Sequence, residues 1–338
     1  MTMYCGIDLH SNNNVICVID DADHRVCEKK CSNELHEVIA VLSQFKFELK
    51  AVAIESTFNW YWLVDGLMAE GFQVELVNTA KVVQYEGLKN TNDRYDAYHL
   101  AHLMRLGILP TGYIYPKPYR GLRDLVRKRM QLVQDRTSQI IRFGSMIQMH
   151  TGHSLASHHI KTKKFILPVI GDTNVQLALQ CHLNLIQSLT LQIKAIERSV
   201  LTQLAPHDSF ELLKSVPGIG DILGQAILLE TGEVDRFQGP GNFASYCRCV
   251  ESKRTSNGKK KGENNRKNGN KYLAWAFIEA ANFAIRLSPK AKAFYQRKQS
   301  KTNVIVARKA LAHKLSRACY WIMKREVPFD ESLIFHKF

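Results

Sequence analysis

Two acidic residues each close a short apolar run. Asp8 follows Met3-Tyr4-Cys5-Gly6-Ile7, and Glu55 follows Ala51-Val52-Ala53-Ile54. Both runs read as strands, so a carboxylate stands at the carboxyl end of each. Two more lie at the start of a helical pattern running from Asp93 to Leu103, where Asp93 and Asp96 are three apart and share one helix face. A lone acidic residue at a strand end is usually a turn residue. Four in this arrangement repel one another and are stable together only with cations between them. The hard, oxygen-loving ion that fills such a site is Mg²⁺, for which Mn²⁺ can substitute. Two such ions about 4 Å apart form the clamp used in phosphoryl transfer. The chain is therefore expected to hold metal at Asp8, Glu55, Asp93 and Asp96.

The order of the surrounding elements supports this. Three β-rich runs, 3–9, 14–20 and 24–30, are separated by the polar clusters His10-Ser11-Asn12-Asn13-Asn14 and Asp20-Asp21-Ala22-Asp23 and predict a meander. An amphipathic helix follows (Leu35, Val38, Ile39, Leu42, Phe45), then strand 51–55, a helix rich in aromatics (Phe58, Trp60, Tyr61, Trp62) and strand Val74 to Val77. This is the layout of ribonuclease-H-like domains, in which the first and fourth strands are parallel neighbours. Asp8 and Glu55 would then be adjacent, at the strand ends where ligands collect.

The net charge of +15 calls for a polyanionic partner, and nucleic acid fits better than a membrane surface. No apolar run approaches the roughly 18 residues of a membrane span. The first residues enter a strand pattern directly, without a signal peptide's basic start. The eight cysteines lack the spacing and histidine partners of a zinc site. They are read as reduced thiols of a cytoplasmic protein.

Residues 110–119 carry Pro110, Gly112, Pro116 and Pro118 and read as a linker. A basic helical stretch, Leu122 to Met149, follows. A second helix carries Leu183, Ile186, Leu189, Ile193, Ile196, Val200 and Leu204, spaced for a coiled-coil seam or an ordinary core-facing helix. Next, Val216-Pro217-Gly218-Ile219-Gly220-Asp221 separates two helical patterns, as in a helix-hairpin-helix. There, Gly218 and Gly220 would let backbone N–H groups approach a phosphate; a tight turn that only packs against protein is the other reading. Residues 251–271 contain no apolar side chain and read as a mobile loop. Its Lys259, Lys260, Lys261, Arg266, Lys267 and Lys271 suit a phosphate backbone, and Ser252, Thr255 and Ser256 supply hydroxyls.

Several of these segments, taken in order, resemble one family. Gly6-Ile7-Asp8-Leu9-His10, Ile54-Glu55-Ser56-Thr57 and Asn92-Asp93-Arg94-Tyr95-Asp96-Ala97 are similar to the motifs of the DEDD transposases of insertion-sequence family one-ten. Ser256-Asn257-Gly258-Lys259-Lys260-Lys261-Gly262, with Gly269-Asn270-Lys271-Tyr272-Leu273, resembles the eleven-eleven branch, and Pro217-Gly218-Ile219-Gly220 belongs to the same pattern. The resemblance implies a junction-resolvase-like catalytic domain (1–118), a helical coiled-coil segment (119–205) and a mainly helical transposase domain (206–338). It also implies DNA recombination directed by an element-encoded bridge RNA whose loops pair with target and donor DNA. A serine nucleophile, which falls on Ser256, and a homodimer or homotetramer with the site shared between subunits are implied too. Such a protein would work in the bacterial cytoplasm, at the nucleoid. Two other activities use the same residues. One is a Holliday-junction-type endonuclease with water as nucleophile; the other is a nucleic-acid binder without catalysis.

Overall fold

The computed structural model describes residues 1–82, 92–160, 169–251, 254–262 and 268–335. It divides into two compact units, Met1–Lys117 and Pro118–Phe338.

The first unit is built on β1 (Met3–Leu9), which is buried on both faces. Antiparallel β2 (Asn13–Ile19) and β3 (Arg25–Ser32) flank it on one side. Parallel β4 (Leu49–Glu55) and β5 (Val74–Val77) flank it on the other, giving the order β3-β2-β1-β4-β5. The helices α1 (Leu35–Leu42) and α2 (Tyr61–Ala69) cover one face of this sheet, and α3 (Asp93–Arg105) covers the other. Because side chains alternate along a strand, Cys5, Ile7 and Leu9 pack toward α1 and α2, while Tyr4, Gly6 and Asp8 turn toward α3. The stretch read as a linker is partly structure: Thr111 bridges Val77, and Gly112 N–H donates to the Leu76 carbonyl. Pairing to the edge of β5 supplies these backbone groups with partners that composition alone does not reveal.

In the second unit, α4 (Lys117–Thr151) is followed by the single turn α5 (Ser157–Ile160) and by α6 (Thr173–Leu204). The helices α4 and α6 run antiparallel, with Ile140, Phe143 and Ile147 against Leu179, Leu183 and Ile186. The buried positions of α6, Leu179, Leu183, Ile186, Ile193, Val200 and Leu204, follow heptad steps. Two seam positions are polar: Glu197 pairs with Arg129 at 2.6 Å, and Thr190 accepts from Arg136 at 3.3 Å. Polar pairs in a seam cost stability but fix its register.

The C-terminal helices are α7 (Asp208–Lys214), α8 (Asp221–Thr231), α9 (Pro240–Tyr246), α10 (Lys271–Leu287), α11 (Pro289–Lys301), α12 (Val304–Arg325) and α13 (Glu331–Ile334). Their core centres on Phe210, Phe243, Phe277, Leu311 and Leu315 and takes in Val126 of α4 and Val200 of α6. The 251–271 stretch is not loop throughout. β6 (Arg254–Ser256) pairs antiparallel with β7 (Lys259–Gly262) around Asn257-Gly258. Both turn residues have positive φ, 50° and 70°, the backbone that Asn-Gly favours in a two-residue hairpin.

Candidate active site

β1 and β4 are in register at Ile7 and Ile54, so Asp8 and Glu55 emerge side by side. The helix α3 brings the other two carboxylates. Its N-cap is Asn92, whose side chain accepts from Tyr95 N–H at 2.9 Å, and Asp93 and Asp96 lie in its first turn. Negative charge there is favoured by the helix dipole. Gly6 lets the helix approach: a Cβ on it would stand 2.1 Å from the Ala97 carbonyl oxygen. At its far end α3 is held by Asp23 in the β2–β3 turn, which accepts from Tyr98 Oη (2.8 Å), His102 Nδ1 (2.9 Å) and Arg105 Nε (3.1 Å).

All four expected carboxylates therefore converge, with Asp8 in two groupings. A pocket of about 130 Å³ is lined by Asp8, Glu55 and Asp96 together with Thr79, Val82, His99 and Leu100. On the other side, Asp8, His10 and Asp93 present ligand atoms that all lie within 4.8 Å of one another. The electrostatics show the crowding. Burial, a hydrogen bond with Asp8 and the charges of Asp8 and Asp96 push the Glu55 carboxyl up to about 7. Burial and the charges of Asp8 and Asp93 raise Asp96. Burial lowers His99, beside the pocket.

The chemistry of this donor set fits a hard divalent cation: oxygen ligands, mutually repelling, in a partly buried pocket. His10 Nε2 is buried and lies 3.1 Å from Asp8 Oδ2, yet it makes no hydrogen bond. A polar atom in that condition suits an ion better than the metal-free chain. The sequence reading leaves His10 in a polar turn, without a role.

Ser256, the last residue of β6, is exposed beside the Asn257-Gly258 turn and opposite Lys259. Lys259 and Lys261 are exposed on β7. Lys271 opens α10. Arg266, Lys267 and Ser252 lie outside the described residues, as does the Lys260 side chain. The hairpin springs from a fixed base. Asn270 N–H donates to the Tyr246 carbonyl at 2.6 Å, and Arg248 donates to the Gly269 carbonyl at 2.9 Å. Asn270 caps α10, and its amide donates to buried Glu230 at 2.6 Å; Glu230 also receives Arg127 at 2.8 Å. These partners lie 40 and 103 residues apart in the chain, so no local pattern announces them.

The two glycines of the α7–α8 turn differ. Gly218 has φ +96°, and a Cβ there would meet the Ala280 carbonyl oxygen at 2.6 Å and Ala284 N at 2.7 Å. Gly220 has φ −102° and open space around it, so its own conformation does not require glycine. The Asp221 carboxylate stands in the first turn of α8 and pairs with Lys214 at 3.4 Å. Gly218 thus serves packing against α10.

Among the described residues no helix is long and apolar enough to cross a membrane. The eight cysteines are free, and six of them are buried.

Comparison with known families bears on both units. Residues 5–150 match the family model of the DEDD transposases of IS110, and residues 210–296 match that described as "Transposase IS116/IS110/IS902 family". The "uncharacterized 43.6 kDa protein" of insertion element IS110 from Streptomyces coelicolor is 26% identical over 143 residues, 42% of this chain and 35% of the relative. The corresponding 44.8 kDa protein of IS116 from Streptomyces clavuligerus is 26% identical over 141 residues, 41% of this chain and 34% of the relative. The chain thus spans about a third of the length of these curated relatives. The two matched regions, which carry Asp8, Glu55, Asp93, Asp96 and Ser256, are thus both similar to transposases of the IS110 family.

Proposed function

We propose that this chain is an RNA-guided DNA recombinase of an insertion sequence, with Ser256 as nucleophile and Asp8, Glu55, Asp93 and Asp96 as holders of divalent metal. The observation that carries this reading is the convergence of Glu55, Asp93 and Asp96 on Asp8, at the end of the central strand of a five-stranded mixed sheet. A bound Mg²⁺ or Mn²⁺ would stabilise charge on the attacking and leaving oxygens of a phosphoryl transfer. The rest falls to the chain. Asp8, on a buried strand, is a fixed anchor, and Glu55 stands beside it at the end of the neighbouring parallel strand.

The exposed hairpin carries the Ser256 hydroxyl opposite Lys259, and its exposed Lys259 and Lys261 would attract the phosphate backbone. Its Oγ forms a bond to phosphorus, the bond from phosphorus to the leaving strand oxygen breaks, and that oxygen takes up a proton. The serine ester keeps the bond energy for rejoining when a hydroxyl of the new strand attacks it. The net charge of +15 suits a large nucleic-acid partner, a structured bridge RNA with loops for donor and target DNA. A homodimer or homotetramer would let Ser256 of one subunit serve the carboxylates of another, in the bacterial cytoplasm at the nucleoid.

The carboxylate set is complete within residues 1–117, and this favours a second reading, a junction endonuclease using water. A strand-transfer assay on protein purified with its element's RNA separates the two. Recombinase activity requires the RNA, divalent metal, Asp8 and Ser256. Mixing Asp8→Asn subunits with Ser256→Ala subunits restores one centre per mixed dimer if the site is shared. Cleavage that needs Asp8 but neither RNA nor Ser256 supports the endonuclease.

A further inference from the structure

The backbone of His10 is held from three sides. Its N–H donates to the Asn13 carbonyl at 2.9 Å, and its carbonyl accepts from Asn33 Nδ2 at 3.0 Å and from Asn59 Nδ2 at 2.9 Å. Asn33 is itself held by Asn14, and Asn59 accepts from Thr57 Oγ1 at 2.9 Å. Thr57 follows Glu55 closely in the loop after β4. The loops that follow β1 and β4 are therefore stitched together through the carbonyl of one residue. Such a clamp is more than a surface turn needs.

The side chain it positions points at two carboxylates. His10 Nε2 is 3.1 Å from Asp8 Oδ2 and 3.4 Å from Asp93 Oδ2. Neighbouring ligands around an octahedral Mg²⁺ or Mn²⁺, each about 2.1 Å from the ion, stand about 3 Å apart. The imidazole is two residues beyond Asp8, on the same side of the extending strand. Its nitrogen is buried and without a hydrogen bond, although the ring edge reaches solvent.

We propose that His10 is a direct metal ligand, completing with Asp8 and Asp93 a mixed nitrogen–oxygen site next to the pocket of Asp8, Glu55 and Asp96. This rests on the metal-dependent reading above. A nitrogen ligand makes the site more selective for Mn²⁺ over Mg²⁺ than carboxylates alone would, because imidazole prefers the softer transition ion. The Asp8 carboxylate then belongs to both groupings.

Pulsed electron paramagnetic resonance of Mn²⁺ bound to the full chain tests this, because it detects a nitrogen attached to the ion. The expected result is a ¹⁴N coupling that becomes a ¹⁵N coupling when only histidine is ¹⁵N-labelled and disappears in His10→Ala. Mn²⁺ affinity should fall about tenfold or more in His10→Ala, and Mg²⁺ affinity less. The variant leaves all three backbone hydrogen bonds in place, and the labelling arm needs no substitution. Bound Mn²⁺ that is lost in Asp8→Asn but shows no nitrogen coupling in the unsubstituted chain would overturn the His10 assignment and leave the carboxylate reading intact. A coupling that survives His10→Ala would also overturn the assignment. Failure to bind Mn²⁺ at millimolar concentration would remove both.

Discussion

The carbonyl oxygen of Ala97 would stand 2.1 Å from a Cβ on Gly6, so the backbone of α3 rests where a side chain of β1 would be. This contact sets the height of the helix over the sheet, and with it the reach of Asp93 and Asp96 to Asp8.

Gly6→Ala should therefore damage the site from below. Overpacking against backbone has no soft neighbour to yield, and the cost should be at least the upper end of the usual range, about 3 kcal/mol. Thermal melting should show the loss, and calorimetry should show weaker Mn²⁺ binding. A Gly6→Ala protein with unchanged melting temperature and metal affinity would show that α3 is not fixed by this contact.

Metal binding should depend on pH through Glu55. Its carboxyl titrates at about 7 in the fold against an ordinary 4.5. In metal-free protein this raised value contributes stability that is full below 4.5 and lost as pH rises through 7. Metal requires the carboxylate, so Mn²⁺ affinity should climb from pH 5.5 to 7.5 and then level, with a proton released per ion bound at pH 6. Calorimetry in buffers of differing ionisation enthalpy counts that proton, and Glu55→Gln should abolish its release. A flat affinity across this interval would mean that Asp8 and Asp96 do not hold the proton on Glu55.

Much of this site can be read locally. Asp8 and Glu55 were legible because an apolar run closed by an acidic residue is a short-range signal, and Asp93 with Asp96 because a three-residue step marks one helix face. Other features were hidden for physical reasons. The hairpin around Asn257-Gly258 carries lysines and hydroxyls instead of β-branched apolar residues, so composition suggested loop. The Asn-Gly pair was the available signal. His10 sits in a run of asparagines that reads as a turn, and only tertiary hydrogen bonds reveal its clamp. The network of Glu230, Arg127 and Asn270 depends on contacts distant in the chain.

That network should matter for the hairpin's base. Glu230 is buried, and removing one member of a buried charge pair typically costs about 3–5 kcal/mol, less here because Arg127 is a third exposed. Glu230→Gln should lower the melting temperature and speed amide exchange at the start of α10, while leaving Mn²⁺ binding by the first unit unchanged. Unaltered exchange there would mean that Asn270 holds its cap without Glu230.

The two hairpin glycines should respond differently. Gly218→Ala should destabilise the second unit, since its Cβ meets the backbone of α10 and its φ is positive. Gly220→Ala should leave the melting temperature within about 1 °C of its original value, as a surface change without strain does. Filter binding with salt titration then isolates any phosphate approach: weaker binding in a stable Gly220→Ala protein assigns the turn a nucleic-acid role. Unchanged binding assigns it to packing.

The most direct measurement of the central claim is the chemical state of Ser256 during reaction. Complete reaction mixtures, with RNA, DNA and Mg²⁺, are denatured and the protein is digested and mapped. The account predicts DNA covalently joined to Ser256, and no adduct in Ser256→Ala even though that variant still binds RNA and DNA, because one hydroxyl adds little to a large electrostatic interface. Free 3′-hydroxyl and 5′-phosphate ends with no adduct at any stage would contradict it.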